Sequence, residues 1–395
     1  MTLRQGREFL TIPGPTNIPD EVLNAMHRPA IEIYSGDLLG VTERLLNDLR
    51  TVFRTKGRTY IYTANGHGAW EAAISNMLSK GDKVLVLESG RFAVGWGEMA
   101  AVQGAQTEVL EATPRRAVDP AAVEARLRAD TEHEIKAIMV VQIDTASGIV
   151  NDIPAIRKAI DAAGHPALFM VDGMASIGCM PFEMDDWGVD VAMVGSQKGL
   201  MSPPGLGLLA AGPKAMEAHK TADLRTHYWD WTAREGEQHY EKYCGTPPEH
   251  LLFALCKSMD MLFEEGLEQA WERHRKLAGA VHAAVSVWGK EGAMEMNISD
   301  PAERAPSVTP VIFADGVDPA ELLKWCNEQC GVVVGSGIGD LSKHAIRIAH
   351  MGYVNAPMLL GSLGVLEMGM QALDIPHGKG GAQAAIDFLA GTFKE

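Results

Sequence analysis

Short apolar runs alternate with amphipathic stretches along the chain as far as residue 250. Each run is apolar at consecutive positions, which is typical of strands buried on both faces of a parallel sheet. The strands predicted in this way are residues 58–62, 83–87, 136–142, 167–171, 189–194 and 206–210. The helices predicted between them by helical spacing are residues 69–78, 120–129 and 153–163. We therefore predict an α/β domain with a mostly parallel sheet covered by helices.

The pattern changes after residue 248. Apolar residues at helical spacing predict one long helix over residues 251–279. The later elements predicted are strands over residues 308–313 and 331–334 and helices over residues 319–329 and 356–373. After an N-terminal segment, residues 1–20, we expect a large α/β domain over residues 21–250. A connecting helix and a smaller α+β domain then occupy residues 251–395.

Composition narrows the class of protein. The 395 residues include 35 Lys and Arg against 51 Asp and Glu, a net charge of −16, which argues against a nucleic-acid partner. No apolar run approaches the ~20 residues of a membrane span, and the N-terminus has no signal-peptide pattern. Five cysteines form no disulfide framework, so a reduced, cytoplasmic protein is expected. Cys326 and Cys330 have no second pair of ligands nearby, which favours helix packing over a metal site.

A lysine follows the strand predicted over residues 189–194, in the segment GSQKGLMSPPG. Lys198 thus lies at the carboxyl end of a strand, where open α/β sheets bind their ligands. The segment is not a phosphate-binding P-loop, because Gln197 precedes the lysine and Gly199 follows it. A lysine held in such a loop is suited to forming a Schiff base with an aldehyde.

An aspartate ends the preceding predicted strand, in the segment VDGMAS. Asp172 precedes Lys198 by one strand–helix–strand distance. A pyridoxal ring needs a carboxylate that keeps its pyridine nitrogen protonated, and an aspartate and a lysine at neighbouring strand ends meet that need. The alternative is that Asp172 only caps the following turn.

The segment YTANGHGAWEAA predicts a strand end, a turn of small residues and a helix that opens near Gly68. Backbone N–H groups at a helix start make an anion site, which would suit the phosphate of a cofactor. Asn65 and His67 can add side-chain donors. The alternative is an ordinary β-turn at Asn65 and Gly66.

Three further residues have chemistry that suits the same cofactor. Thr145 has a hydroxyl that can reach the ring oxygen, and Phe92 can stack on a planar ring, although both can equally be packed loop residues. Arg347 lies in an apolar, strand-like run, where burial is costly without an anionic partner. Its planar fork suits a substrate carboxylate, and a structural ion pair is the alternative.

Together these segments resemble the class V, fold-type I aminotransferases that depend on pyridoxal phosphate, and especially the alanine/serine–glyoxylate branch. The resemblance covers nearly the whole chain and rests on TIPGPTNIP, VDGMAS, GSQK and IRIAHMG, in the family's order. It implies a seven-stranded, mostly parallel sheet in the large domain, a small C-terminal domain, and an N-terminal segment that lines the active site. The implied activity is ping-pong transfer of an amino group from serine or alanine to glyoxylate or a similar 2-oxo acid.

The resemblance also implies roles for individual residues. Lys198 would form the Schiff base and move the α-proton, and Asp172 would pair with the pyridine nitrogen. Arg347 would hold the α-carboxylate of the substrate. The other residues implied in cofactor binding are Asn65, Gly66 and His67 at the phosphate, Gln197 on the phosphate side, Phe92 as the stacking ring and Thr145 at the ring oxygen.

Two segments bear on assembly and on the donor. In KYCGTPP, Tyr243 and Thr246 have the spacing that in relatives reaches across a homodimer interface to the neighbour's phosphate. The segment IEIYSGDL lacks the D-H-R-S run of many bacterial serine–glyoxylate enzymes, and Tyr34 within it is expected near the substrate. The donor therefore stays open between serine or alanine and a less common one, such as aspartate or a non-protein amine.

Other activities have less support in the residues. A desulfurase or other lyase of this fold typically has a histidine before the lysine, where this chain has Gln197. An oxidoreductase is suggested only by VVVGSGIGD, in which Asp340 breaks the dinucleotide-binding pattern. A regulator that binds the cofactor without catalysis would need a DNA-binding extension, and the sequence contains no basic segment of that kind.

Overall fold

The structure is a computed structural model that describes residues 2–111, 113 and 115–394. Its strands are β1 (Phe9–Thr11), β2 (Arg58–Thr63), β3 (Lys83–Leu87), β4 (Gln106–Leu110), β5 (Ile135–Val141), β6 (Ile143–Asp144), β7 (Ile149–Val150), β8 (Leu168–Asp172), β9 (Val191–Gly195), β10 (Leu206–Ala211), β11 (Met294–Met296), β12 (Val308–Phe313), β13 (Val332–Ser336) and β14 (Ala345–Ala349). Its α-helices are α1 (Asp20–Met26), α2 (Asp37–Phe53), α3 (Gly66–Met77), α4 (Arg91–Gln103), α5 (Pro120–Ala129), α6 (Ile153–Ala162), α7 (Pro213–His219), α8 (Trp231–Arg234), α9 (Glu249–Glu265), α10 (Leu267–Trp288), α11 (Pro319–Cys330), α12 (Ala356–Ala372) and α13 (Gly381–Gly391). Short 3₁₀ helices span His239–Tyr243, Gly289–Glu291, Pro301–Glu303 and Gly339–Leu341.

Seven strands form the main sheet, in the order β2-β10-β9-β8-β5-β3-β4. β9, β8, β5, β3 and β4 pair in parallel, whereas β10 runs antiparallel to both of its neighbours. These pairings confirm the predicted α/β fold with a mostly parallel sheet. The pattern did not predict β4, because its sequence QTEVL is half polar and lies on an exposed edge of the sheet.

Successive residues of the central strands pack into two different cores, one on each face of the main sheet. In β8, Phe169 and Val171 belong to one core, whereas Leu168 and Met170 belong to the other. Helices α2, α5, α6 and α9 contribute to the first core, and α3, α4 and α7 contribute to the second. Because neighbouring side chains of a strand point to opposite faces, burial of both faces requires the unbroken apolar runs seen in the sequence.

A second sheet has the order β1-β13-β14-β12-β11. All of its strands lie in the C-terminal part of the chain except β1, which pairs in parallel with β13. The N-terminal segment is therefore hydrogen-bonded into the C-terminal sheet before it reaches the main one. The domain boundaries at residues 20 and 250 stay predictions.

The single helix predicted over residues 251–279 is wrong. Helix α9 ends at Glu265 and α10 begins at Leu267, and Gly266 between them has φ +91°. Side chains other than glycine rarely adopt this φ, and a Cβ on Gly266 would lie 2.2 Å from Oε1 of Gln269. The apolar spacing continues on both sides of the break, which is why the pattern predicts one helix.

Two observations concern membranes and metals. None of the described helices is long and apolar enough to cross a membrane. Within the described ranges, no group of three or more His, Cys, Asp or Glu side chains could hold a metal ion. Cys326 is buried in α11, where its thiol contacts the carbonyl oxygen of Val365 in α12 at 3.9 Å.

Candidate active site

The parallel strands β8 and β9 bring Asp172 and Lys198 to the same edge of the main sheet. Asp172 is the last residue of β8, and its register partner in β9 is Met193. Strand β9 ends at Gly195, shortly before Lys198. Ligands bind at the carboxyl ends of the strands in such sheets, so both charged groups lie where a ligand is expected.

Lys198 is held against the N-terminal segment. Its Nζ donates a hydrogen bond to the carbonyl oxygen of Pro13, and a Cβ on Gly14 would lie 2.6 Å from this Nζ. The hydroxyl of Thr16 donates to the carbonyl oxygen of Lys198 at 3.1 Å. Burial, together with the positive charge of Arg347, lowers the pKa of Lys198 to about 8. The lysine is thus a well-fixed amine with a larger neutral fraction near neutral pH than an exposed lysine has.

Asp172 is 1% exposed and accepts two hydrogen bonds. The backbone N–H of Met174 donates to Oδ1 at 2.6 Å, which is the turn cap considered above, and Trp70 Nε1 donates to Oδ2 at 2.8 Å. Burial nevertheless raises the pKa of Asp172 to about 7. None of the described residues forms an ion pair with this carboxylate. A protonated pyridine nitrogen would supply the cation that a buried carboxylate needs.

The N-terminus of α3 lies beside the end of β8 and has the free N–H groups that an anion would need. Asn65 caps this helix of 12 residues and accepts from the N–H of Gly68 at 3.2 Å, so the simple β-turn considered above is wrong. The N–H groups of Gly66 and His67 have no acceptor within the helix, because they belong to its first turn. A Cβ on Gly66 would lie 2.8 Å from Sδ of Met174, so the helix start lies close against the turn that follows β8.

Aromatic rings surround the tryptophan that binds the aspartate. The ring centroid of Trp70 lies 4.6 Å from that of His67 and 6.4 Å from that of Phe92. Its other neighbour, Trp96, stacks on it at 5.8 Å. Burial and two nearby cations lower the pKa of His67, which favours the neutral ring. Phe92 and His67 thus flank the indole that holds the carboxylate.

Arg347 connects the C-terminal sheet to the loop after β6. It lies on β14, and its Nη1 donates to the carbonyl oxygen of the buried Thr145 at 3.2 Å, while its Nε donates to that of Ser336 at 2.7 Å. Burial lowers the pKa of Arg347 to about 10, and the charge of Asp144 opposes this shift. Among the described residues, no carboxylate lies within ion-pair distance of the guanidinium. The alternative role of Arg347 in a structural ion pair is therefore not found among them. The guanidinium can therefore accept an anionic ligand.

Gln197 has a buried amide oxygen that lacks a hydrogen-bond partner among the described residues. Leaving such a group unpaired costs about 1–3 kcal/mol. A carboxamide can present either its oxygen or its two N–H donors, so a polar ligand group beside Lys198 would remove this cost. The residue fits a place on the polar side of a cofactor.

Three residues expected near the site have their contacts elsewhere. The hydroxyl of the buried Tyr243 lies 2.7 Å from Oγ1 of Thr42. Thr246 is exposed, and Tyr34 is 66% exposed with its ring edge-on to Tyr240 at 6.1 Å. The contacts described for these residues do not include the lysine or the aspartate.

The sequence reasoning missed Trp70, Asp144 and Thr16. Trp70 lies within a segment that we singled out, but its helical spacing predicts only burial. Asp144 directly precedes Thr145, and its contacts depend on how distant segments meet. Thr16 lies in the N-terminal segment TIPGPT, so the expectation that this segment lines the site already pointed to it.

These features define the site of an enzyme that uses pyridoxal phosphate. The amine of Lys198 suits the cofactor's aldehyde, the carboxylate of Asp172 suits a protonated ring nitrogen, and the start of α3 suits the phosphate. The family model of the class-V aminotransferases matches residues 9–340 of this chain. The chain belongs to that family: it is a pyridoxal-phosphate-dependent aminotransferase with the fold-type I architecture.

Similar proteins cover almost the entire chain. The serine–glyoxylate aminotransferase of Methylorubrum extorquens is 39% identical over 97% of this chain and 96% of that protein. The L-aspartate–glyoxylate aminotransferase of Paracoccus denitrificans is 37% identical over 95% of this chain and 94% of that protein. The crystal structure of pyridoxamine–pyruvate aminotransferase from Mesorhizobium loti superposes with a TM-score of 0.90, at 26% identity over 99% of this chain and all (100%) of that one. The predicted family and enzyme class are confirmed.

Proposed function

We propose that this enzyme transfers the amino group of serine or alanine to glyoxylate or a similar 2-oxo acid. The observation that carries the proposal is the guanidinium of Arg347, which donates to carbonyl oxygens and has no described ion-pair partner. Donor and acceptor both have a carboxylate next to the reacting carbon, so one arginine can hold each of them in turn. The names of the Methylorubrum and Paracoccus relatives support glyoxylate as the acceptor.

Lys198 is the residue that moves the α-proton of the donor. When bound, pyridoxal phosphate acts as an electron sink that stabilises negative charge on the donor's α-carbon. The amine of Lys198, whose pKa of about 8 gives it a larger neutral fraction than an exposed lysine has, would take this proton and return it on the cofactor side of the reacting nitrogen. The carbonyl oxygen of Pro13 accepts a hydrogen bond from Nζ and so restricts where the amine can reach.

Asp172 and Arg347 set the charges around this amine. The buried carboxyl of Asp172 lies at the sheet edge, where its ionised form would keep a ring nitrogen protonated. The positive charge of Arg347 lowers the pKa of Lys198 while no substrate is bound. A bound carboxylate offsets that charge, so the affinity of the lysine for a proton rises when the α-proton is to be taken.

Aspartate is a second candidate donor, and the Paracoccus relative supports it by its name. A non-protein amine and lyase chemistry on the same fold are the remaining alternatives. Each of them makes a different prediction in the half-reaction experiment described below.

We further propose that the enzyme is a cytoplasmic homodimer in which each subunit completes the site of the other. The spacing of Tyr243 and Thr246 supports this assembly, as does the exposure of Thr246 and Tyr34 to a second copy. The hydrogen bond between Tyr243 and Thr42 fixes the start of the segment that carries Thr246.

Separate half-reactions test the proposed substrates. The enzyme, loaded with pyridoxal phosphate, is mixed singly with L-serine, L-alanine, L-aspartate, glycine and non-protein amines, and the absorbance of the pyridoxal form is followed. Serine or alanine is expected to produce the pyridoxamine form, and added glyoxylate is expected to restore the starting spectrum. Conversion by aspartate and by no other amine would show that aspartate, and not serine or alanine, is the donor. A protein that no amine converts would contradict the proposal and favour a lyase.

A further inference from the structure

Asp144 is a buried carboxylate that joins two segments of the site. Its Oδ2 accepts from the backbone N–H groups of Phe92 at 2.9 Å and Ala93 at 3.1 Å, both in the first turn of α4. Its Oδ1 accepts from the N–H of Ala146 at 2.9 Å. Its side chain is fully buried, and the described residues offer it no ion pair. The charge is thus held by backbone dipoles, in the way that helix N-termini hold anions.

Close packing around Asp144 leaves little freedom to the carboxylate. A Cβ on Gly90 would lie 2.6 Å from Cγ of Asp144, and Gly90 has φ +153°. Glycine at this position lets the backbone before α4 approach the carboxylate. A longer side chain at 144, or any side chain at 90, would push the start of α4 away from the loop after β6.

The two segments joined by Asp144 carry different parts of the site. Asp144 accepts the N–H of Phe92, and the ring of Phe92 lies 6.4 Å from that of Trp70, the indole that donates to Asp172. Thr145, the next residue along the chain, gives its carbonyl oxygen to Nη1 of Arg347. A shift of this carboxylate would therefore move the ring-facing side and the carboxylate-binding side of the site together.

We propose that Asp144 is a positioning residue, which sets Phe92 against the cofactor ring and Arg347 against the substrate carboxylate at the same time. The part that concerns Arg347 rests on the proposed function, whereas the part that concerns Phe92 rests only on the cofactor. A purely electrostatic role makes the opposite prediction for anions, because removing a negative charge near Arg347 should tighten the binding of a carboxylate.

Asp144→Asn separates these roles. An asparagine has the same shape, but one of its two polar ends must face an N–H group with another N–H group, so at least one of the three bonds is lost. The matched control is Asp152→Asn, because Asp152 is an exposed cap that accepts from the N–H of Ala155 at the start of α6. Two binding constants are measured: pyridoxal phosphate to the apoprotein by tryptophan fluorescence, and glycolate, an unreactive carboxylate, to the loaded enzyme by visible absorbance.

Asp144→Asn is expected to weaken pyridoxal phosphate binding by about tenfold or more and to weaken glycolate binding as well, since a charge-assisted hydrogen bond is lost. Asp152→Asn should change neither constant. Unchanged binding of pyridoxal phosphate in Asp144→Asn would overturn the proposal. Tighter binding of glycolate would show that Asp144 acts on Arg347 by charge alone. It would overturn the part of the proposal in which Asp144 positions Arg347.

Gly90→Ala provides a second variant that keeps the charge, and it replaces Asp144→Asn if that variant does not fold. This variant should weaken the binding of both pyridoxal phosphate and glycolate, because the added Cβ displaces the carboxylate of Asp144. Normal binding of both ligands in Gly90→Ala would overturn the packing argument. Arg347→Gln distinguishes this proposal from the proposed function: if that variant binds glycolate normally, the carboxylate site is wrong, and the effect of Asp144 on pyridoxal phosphate is judged separately.

Discussion

At the scale of single residues, the site contains two buried carboxylates that differ in how they are compensated. Asp144 accepts three backbone N–H bonds, whereas Asp172 accepts one backbone N–H and one indole N–H. Burial raises the pKa of both, and that of Asp172 reaches about 7. The carboxylate with fewer donors is the one that, in the proposed site, a positively charged cofactor nitrogen would complete.

Asp172→Asn is expected to stabilise the cofactor-free protein at pH 8 relative to the unmutated apoprotein. The carboxyl of an aspartate in the unfolded chain has a pKa of about 3.9. The folded carboxyl of Asp172 keeps its proton up to about pH 7. Folding therefore takes up a proton in this window, and the contribution of Asp172 to the free energy of unfolding falls as the pH rises through it. The free energy of unfolding is measured with denaturant at pH 4 and pH 8. The value for the Asn variant minus that for the unmutated apoprotein should be larger at pH 8. An advantage independent of pH would contradict this assignment.

Arg347→Gln is expected to raise KM for both the donor and glyoxylate by roughly 10- to 100-fold, since hydrogen bonds between charged groups are lost. It should also raise the pKa of Lys198, because a nearby positive charge is removed. The rate at which the apoprotein takes up pyridoxal phosphate follows the neutral lysine, so its pH midpoint should move above the value of about 8. Arg44→Gln, on the exposed side of α2, is the control. Unchanged KM values would remove Arg347 from substrate binding.

At the scale of elements, helix α3 combines an anion site with a close contact to the rest of the chain. A Cβ on Gly68 would lie 2.6 Å from Cβ of Ala64 and 3.1 Å from the ring of Trp229. Neither neighbour is a flexible chain end that could move aside cheaply. The absence of a side chain at this position therefore fixes where the first turn of the helix lies, and with it the proposed phosphate site.

Gly68→Ala is expected to weaken the binding of pyridoxal phosphate to the apoprotein by about tenfold or more, because a shifted first turn misplaces the N–H donors. The matched control is Gly40→Ala, since Gly40 is also a helical glycine and a Cβ there would meet no atom within 4 Å. The control should bind the cofactor normally and gain some helix stability. Fluorescence titration of both variants makes the comparison, and equal affinity would contradict the role of α3.

The elements that could be predicted from the sequence are those whose burial is uniform. The central strands are apolar at almost every position because both of their faces are covered, and Asp172 and Lys198 stood out because one ends such a strand and the other follows one. β4 escaped prediction because it is exposed, and the break at Gly266 because it lies within continuous apolar spacing. The contacts of Trp70 depend on the register between distant strands, which no local pattern contains.

At the scale of the whole molecule, the N-terminal segment links the C-terminal sheet to Lys198, which follows β9 of the main sheet. β1 pairs with β13 of the C-terminal sheet, and a few residues later Pro13 accepts a hydrogen bond from Lys198. Arg347 makes a second link, from β14 to Thr145. The site is therefore built between the sheets, and a movement of one sheet against the other would change the distance from the arginine to the lysine.

Mixed dimers test the proposed sharing of sites between subunits. Lys198→Ala and Tyr243→Phe chains carry different tags and are co-expressed, and the mixed dimer is isolated by both tags. One of its two sites then has Lys198 from one chain and Tyr243 from the other, so about half of the normal turnover is expected, which is more than either variant alone provides. Activity no higher than the mean of the two separate variants would contradict a shared site.

The most direct test of the central claim is to identify the lysine that holds the cofactor. Borohydride reduction of the loaded enzyme fixes pyridoxal phosphate covalently on the amine to which it is joined, and peptide mass mapping then locates it. We expect one modified peptide, with the added mass on Lys198, and no modification in Lys198→Ala. Modification of a different lysine in the unmutated enzyme would contradict the site described here.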